Sequence, residues 1–182
     1  MVATAQELDR SAADAEPSVY LITVGPGELV WERFGHNALW IGEQGPGAGL
    51  AYNWGMFSFD QPGFLPRLVR GRMLYWMASF QAERMIAAYR ADDRSVWVQE
   101  LALTPEQTLE LQEALRINAL PEKADYRYDY YRDNCSTRVR DALDRVLGGR
   151  LRARLTGVPT GSTYRWHTRR LLQGMPLMYT GI

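Results

Sequence analysis

The chain reads as an α+β domain, an antiparallel sheet packed against helices, on three observations. Short β-rich runs punctuated by turn residues fill the first third, and capped amphipathic segments fill the second half. The 182 residues, 46% hydrophobic and 23% charged, are enough for one domain with a substantial core. Six Trp, ten Tyr and five Phe suit a sheet bordering a lined cleft.

Residues 1–17 (MVATAQELDRSAADAEP) hold no signal-type apolar core and read as a polar tail, leaving 18–182 as a single domain. Ser18 to Val24 (SVYLITV) is a strand closed by Gly25-Pro26-Gly27, and Leu29 to Phe34 suits a helical turn. His36 to Ile41 and Leu50 to Trp54 read as two further strands. Gly42 to Gly49 joins them with four glycines and a proline. Pro62 to Arg70 suits a short helix, Met73 to Phe80 a buried strand or helix segment, and Gln81 to Arg90 a helix.

Ser95 to Leu103 alternates like a strand. Thr104 then caps a helix, with Pro105 at the first helical position and Gln107 at the third. That helix runs to about Asn118 and offers Leu109, Leu111, Leu115 and Ile117 to the core. Pro121 to Arg132 is a tyrosine-rich connector. A helix from about Cys135 ends near Gly148-Gly149, and Ser162 to Gln173 suits a last amphipathic helix.

Formal net charge is zero but unevenly spread. Two basic residues against eight acidic leave 1–60 at −6, residues 61–132 balance, and nine against three leave 133–182 at +6. A basic last third suits an anionic or membrane surface, although Lys123 is the only lysine and arginine bias runs throughout. One cysteine excludes an intrachain disulfide and a multi-cysteine metal site. No apolar run reaches the ~20 residues that span a bilayer. The GPGAG segment links two strands and is no phosphate cradle, and no G-x-S-x-G element occurs. Neither a cofactor, a metal nor nucleic acid has a signature here.

The chemistry concentrates on Cys135, in Asp133-Asn134-Cys135-Ser136-Thr137. Cys135, Val139, Ala142/Leu143 and Val146 form one helical stripe, so the thiol starts the helix on its buried side. Asp133 or Asn134 can cap it. Free first-turn N–H groups and the macrodipole favour a thiolate there and can hold an oxyanion. An inert buried cysteine is the plain alternative. His36, opening a strand, is the better imidazole partner; His167, among arginines, suits a surface or packing role. The neighbouring strand offers Asn53 to orient that imidazole, with Asp60 as second choice.

The segments YLITVGPGELVWERFGHNALWI, AYNWGMFSFD, the GR of LVRGRMLYW, and YDYYRDNCSTRVRDAL, in that order, resemble the N-terminal periplasmic domain of the Lnb family. Lnb proteins are bacterial lipoprotein N-acyltransferases. The resemblance implies a circularly permuted papain-like thiol domain of the NlpC superfamily, its histidine strand preceding its cysteine helix. It implies catalytic roles for Cys135 and His36 and a third polar residue, for which the strand reading offers Asn53 ahead of Asp60. The expected substrate contacts are Arg33, Tyr52, Trp54, Asn134, Ser136 and Arg138. The implied partners are a lipid acyl donor, a lipoprotein acceptor and a membrane surface, for a domain forming the soluble part of a larger membrane-anchored protein. A cell-wall amidase or peptidase of the NlpC type and a non-catalytic binding domain are the competing readings.

Overall fold

The computed structural model describes residues 17–29, 31–42, 48–60, 73–174 and 176. The polar tail, the Pro62–Arg70 helix and the tip of the Gly42–Gly49 loop therefore lie outside the described residues. The rest forms an antiparallel six-stranded sheet in the order β5-β1-β2-β3-β4-β6. Its strands are β1 (Ser18–Val24), β2 (His36–Gly42), β3 (Gly49–Met56), β4 (Leu74–Gln81), β5 (Val96–Leu101) and β6 (Asp125–Arg127). A 3-10 turn, Glu32–Phe34, precedes β2.

Alternation along the central strands feeds two separate cores. One face sends Ile22, Val24, Ala38, Trp40 and Ala51 against Ala82 and Met85 of helix α1 (Ala82–Ala91). The other sends Leu39, Ile41, Tyr52, Trp54 and Met77 against two helices. These are α2 (Pro105–Asn118), with Leu111 and Leu115, and α4 (Cys135–Val146), with Val139, Leu143 and Val146. Each fully buried Leu or Ile contributes about 1.5–3 kcal/mol of transfer free energy. Gly49 closes the β2–β3 hairpin at φ 111°, where a Cβ would stand 2.0 Å from the Ile41 carbonyl oxygen. Only glycine fits there.

Met73 to Phe80 resolves as strand rather than helix, because β3 pairs along it with Asn53 opposite Ala78. The capping box at Thr104 forms as its spacing predicts: Gln107 N–H donates to Thr104 Oγ1, and Thr104 N–H donates to Gln107 Oε1. Leu109, expected in the core, is 57% exposed. The buried stripe of α2 is Thr108, Leu111 and Leu115, and Leu109 lies about 100° round the helix from Thr108. Ile117 is half-buried.

The tyrosine-rich connector holds more structure than its composition suggests. It contains α3 (Pro121–Ala124) and then β6, which pairs with β4 and sets Tyr126 opposite Tyr75. Three residues are too few to display a period of two. Helix α5 (Arg150–Leu155) was also hidden, because its first turn is capped from outside it: Asp144 Oδ1, on α4, accepts from the N–H groups of Leu151 and Arg152. The last helix, α6 (Tyr164–Leu171), starts at Thr163, whose hydroxyl accepts from Trp166 N–H.

Candidate active site

Gly35 and His36 set the first half of the site. Gly35 has φ 68°, and a Cβ on it would stand 2.8 Å from the Val24 carbonyl oxygen, so glycine lets β2 begin hard against the end of β1. His36 then shares a face with Ala38, and Asn53 on β3 lies directly opposite Ala38. The imidazole Nε2 and Asn53 Oδ1 are 2.9 Å apart. Asn53 is 2% exposed, and its Nδ2 donates to the Ala51 carbonyl oxygen at 3.0 Å, which turns its oxygen toward the ring. An acceptor there requires the proton on Nε2, so in the neutral ring Nδ1 is the nitrogen with a free lone pair.

Cys135 sets the second half. It is the first residue of α4, after Asn134 as N-cap. Thr137 N–H donates to Asn134 Oδ1 at 2.9 Å, and Asn134 N–H donates to Thr137 Oγ1 at 2.8 Å. Asn134 Nδ2 also donates to the Tyr130 carbonyl oxygen. Asp133, the other cap expected from sequence, instead binds Arg138 through both carboxylate oxygens at 2.6 and 2.8 Å. The cap takes the N–H of Thr137. Those of Cys135 and Ser136 remain at the helix start without intrahelical partners.

Thiol and imidazole meet where the sheet ends, and each moves the other's proton affinity. Burial pushes the Cys135 thiol up, but hydrogen bonding to His36, the charge of His36, the Asn37 backbone N–H and the Ser136 hydroxyl together hold it below the ordinary thiol value. Burial pulls His36 down, and Arg94 does so weakly. The hydrogen bond and charge of Cys135, with the Asn53 bond, hold it above 6.5 overall. Both directions favour a thiolate facing an imidazolium over the neutral pair.

A cleft of about 350 Å³ opens over this pair. Trp31, Phe34, Phe57, Tyr75, Tyr128 and Tyr130 form an aromatic wall, joined by Tyr75 stacked on Tyr128 at 4.1 Å and Phe57 beside Tyr75 at 5.2 Å. Tyr89 and Arg94 also line the cleft, the Arg94 guanidinium 4.9 Å over the Tyr89 ring. Arg94 is buried, donates twice to the Gly25 carbonyl oxygen at 3.1 and 2.9 Å, and faces Glu32 at 3.6 Å. It ties the loop before β2 in place.

Of the residues expected to contact substrate, Trp54, Asn134 and Ser136 line the cleft. Tyr52 does not; it is core, opposite Leu39. Arg33 stays outside the lining, its guanidinium close to Gly174. Arg138 lies over the Tyr126 ring at 3.9 Å and borders a different cavity of about 540 Å³ between α2 and α4. That cavity holds neither thiol nor imidazole, and Trp54, whose indole N–H donates to Asn118 Oδ1, is the wall between the two. Asp60 sits on an exposed turn, and Asn53 holds the imidazole. His167 bonds Ser162 Oγ through Nε2 on α6. Among the described residues no group of His, Cys, Asp and Glu could hold a metal ion.

Sequence reasoning missed Arg94, Tyr89 and most of the aromatic wall. The run Tyr126-Arg127-Tyr128-Asp129-Tyr130-Tyr131 was the available signal. Alternating tyrosines running out of an edge strand put Tyr128 and Tyr130 into the lining of the thiol's cleft.

Fold and site together define an α+β domain whose sheet gathers a thiol, an imidazole and a buried amide at one end. The chain belongs to the family described as the Lnb N-terminal periplasmic domain, whose model matches residues 4–173. This places it in the periplasm. Among the described residues no helix is long and apolar enough to cross a membrane. No curated protein and no solved structure matches the chain.

Proposed function

We propose that this domain is a thiol-dependent acyltransferase of the papain-like, NlpC type in circularly permuted order, moving a fatty acyl group from a lipid ester to the N-terminal amine of a bacterial lipoprotein. The observation that carries the reading is the Asn53–His36 bond, which reserves Nε2 and leaves the other ring nitrogen to the Cys135 thiol. The aromatic cleft favours an apolar acyl chain over a cell-wall peptide.

The Cys135 thiolate attacks the ester carbonyl, and the N–H groups of Cys135 and Ser136 stabilise the tetrahedral oxyanion. The C–O bond breaks, the departing alkoxide takes the imidazolium proton, and a thioester remains. The neutral amine then attacks the thioester, His36 takes its proton, and the C–S bond breaks to release the amide and restore thiolate and imidazolium. Water in place of the amine gives hydrolysis at the same site.

The test is mass spectrometry of the protein after incubation with phospholipid vesicles. An acyl adduct on Cys135, absent from Cys135→Ala and removed by hydroxylamine, is the expected result. A folded protein that forms no adduct and transfers no acyl group to a lipopeptide amine rules the reading out.

A further inference from the structure

We infer that Asn37 is a positioning residue for the Cys135 sulfur, aiming the Ser136 hydroxyl at it and donating its own backbone N–H. This deepens the function proposed above and rests on Cys135 being the nucleophile. Asn37 follows His36 in β2, so strand alternation sends its side chain to the opposite face, where α4 lies. There Asn37 Nδ2 donates to Ser136 Oγ at 2.8 Å, across a sequence separation of 99. Thr23, opposite in the β1–β2 ladder, donates through Oγ1 to Asn37 Oδ1 at 3.0 Å, which fixes which way the amide points.

The directions of these bonds make one chain. An amide nitrogen only donates, so Ser136 Oγ must accept, and its own hydrogen is left for another neighbour. That neighbour is Cys135 Sγ, 4.0 Å away. Thr23 therefore feeds Asn37, Asn37 feeds Ser136, and Ser136 donates to sulfur. The β2–β3 ladder begins only at Ala38, and the Asn37 N–H goes to the sulfur as well.

The other charged and titratable groups around the sulfur are accounted for. His36 comes from β2, Tyr89 from α1, and Arg94, paired with Glu32, from the turn before β5. Tyr75 on β4, Tyr126 on β6 and Tyr128 after it are held protonated, well above the usual phenol range, chiefly by burial. Asp133 and Arg138 are spent on one another. Only the Asn37 chain delivers a donor that a single substitution reverses. An aspartate at 37 would accept the Ser136 hydrogen and add a negative charge beside the thiolate.

The experiment is the pH dependence of Cys135 alkylation by iodoacetamide, with a melting curve for each variant. Asn37→Asp is expected to raise the midpoint by about one pH unit or more, Asn37→Ala by less, and Thr23→Val least. Ser136→Ala, which deletes the donor itself, should shift the midpoint at least as far as Asn37→Ala, and the double variant no further than Ser136→Ala, because the Asn37 side chain acts only through that hydroxyl. A purely structural role would lower melting temperatures without moving the midpoint. An unmoved midpoint in folded Asn37→Ala, or additive shifts in the double variant, would overturn the inference. A native midpoint in the ordinary thiol range would overturn the nucleophile reading itself.

Discussion

Two neighbouring groups with opposite proton affinities set what the cleft can do. The Cys135 value lies below that of an ordinary thiol and the His36 value above that of an ordinary imidazole, and both shifts favour the ion pair over the neutral pair. Reactivity should rise with pH through the first and fall through the second. Because burial is the largest influence on His36 and lowers it, Cys135→Ala should drop its pKa toward or below 6.5, followed by NMR of the ring protons. Asn53→Ala leaves a buried N–H without its acceptor. It should cost about 1–3 kcal/mol of stability by chemical denaturation and reduce alkylation at neutral pH. Both partners of the thiol were legible in the sequence, because a cap and a helical stripe are local and a hairpin fixes its own cross-strand neighbours. Arg94 and Tyr89 were not, because nothing near them in the chain marks their approach to His36.

At the level of elements, caps decide where the helices start, and two of them are open to test. Thr104→Ala removes one half of a complete capping box and should cost about 1 kcal/mol by thermal or urea unfolding, with chemistry untouched. Asn134→Ala should cost a similar amount but also disturb the thiol, since the same cap orders the turn that carries it. Slower alkylation in the second variant and not the first is the expected contrast. Spacing alone predicted the Thr104 box, because both members lie within one turn. The cap of α5 could not be read this way, since its acceptor, Asp144, belongs to the preceding helix. Edge strand β6 failed for the opposite reason: its pairing with β4 comes from tertiary contact, and three residues carry too little pattern.

For the whole molecule, the sheet sits between two unequal layers, with β2 and β3 central and β5 and β6 at its edges. Amide exchange should therefore be slowest at Leu39, Ile41 and Tyr52 and fastest among sheet residues in β5, where Trp97 and Val98 are largely exposed. Mass-resolved exchange checks the order; equal protection of β5 and β2 would contradict it. Fold class was legible because, among the described residues, four of the six strands lie in the first half of the chain and five of the six helices in the second. The cleft was not, because its wall comes from the 3-10 turn region, β4 and the β6 segment, which only the completed sheet draws together.

The bond between Asn37 and Ser136 closes a loop of 99 residues. Every group that lowers the sulfur's proton affinity, apart from Ser136 beside it, arrives from the far side of that loop. A chain still emerging or half-folded thus carries an unremarkable thiol, slow toward esters and slow toward oxidants. Assembly of the sheet and arming of the sulfur are one event, so the reactive atom stays quiet until the fold is complete.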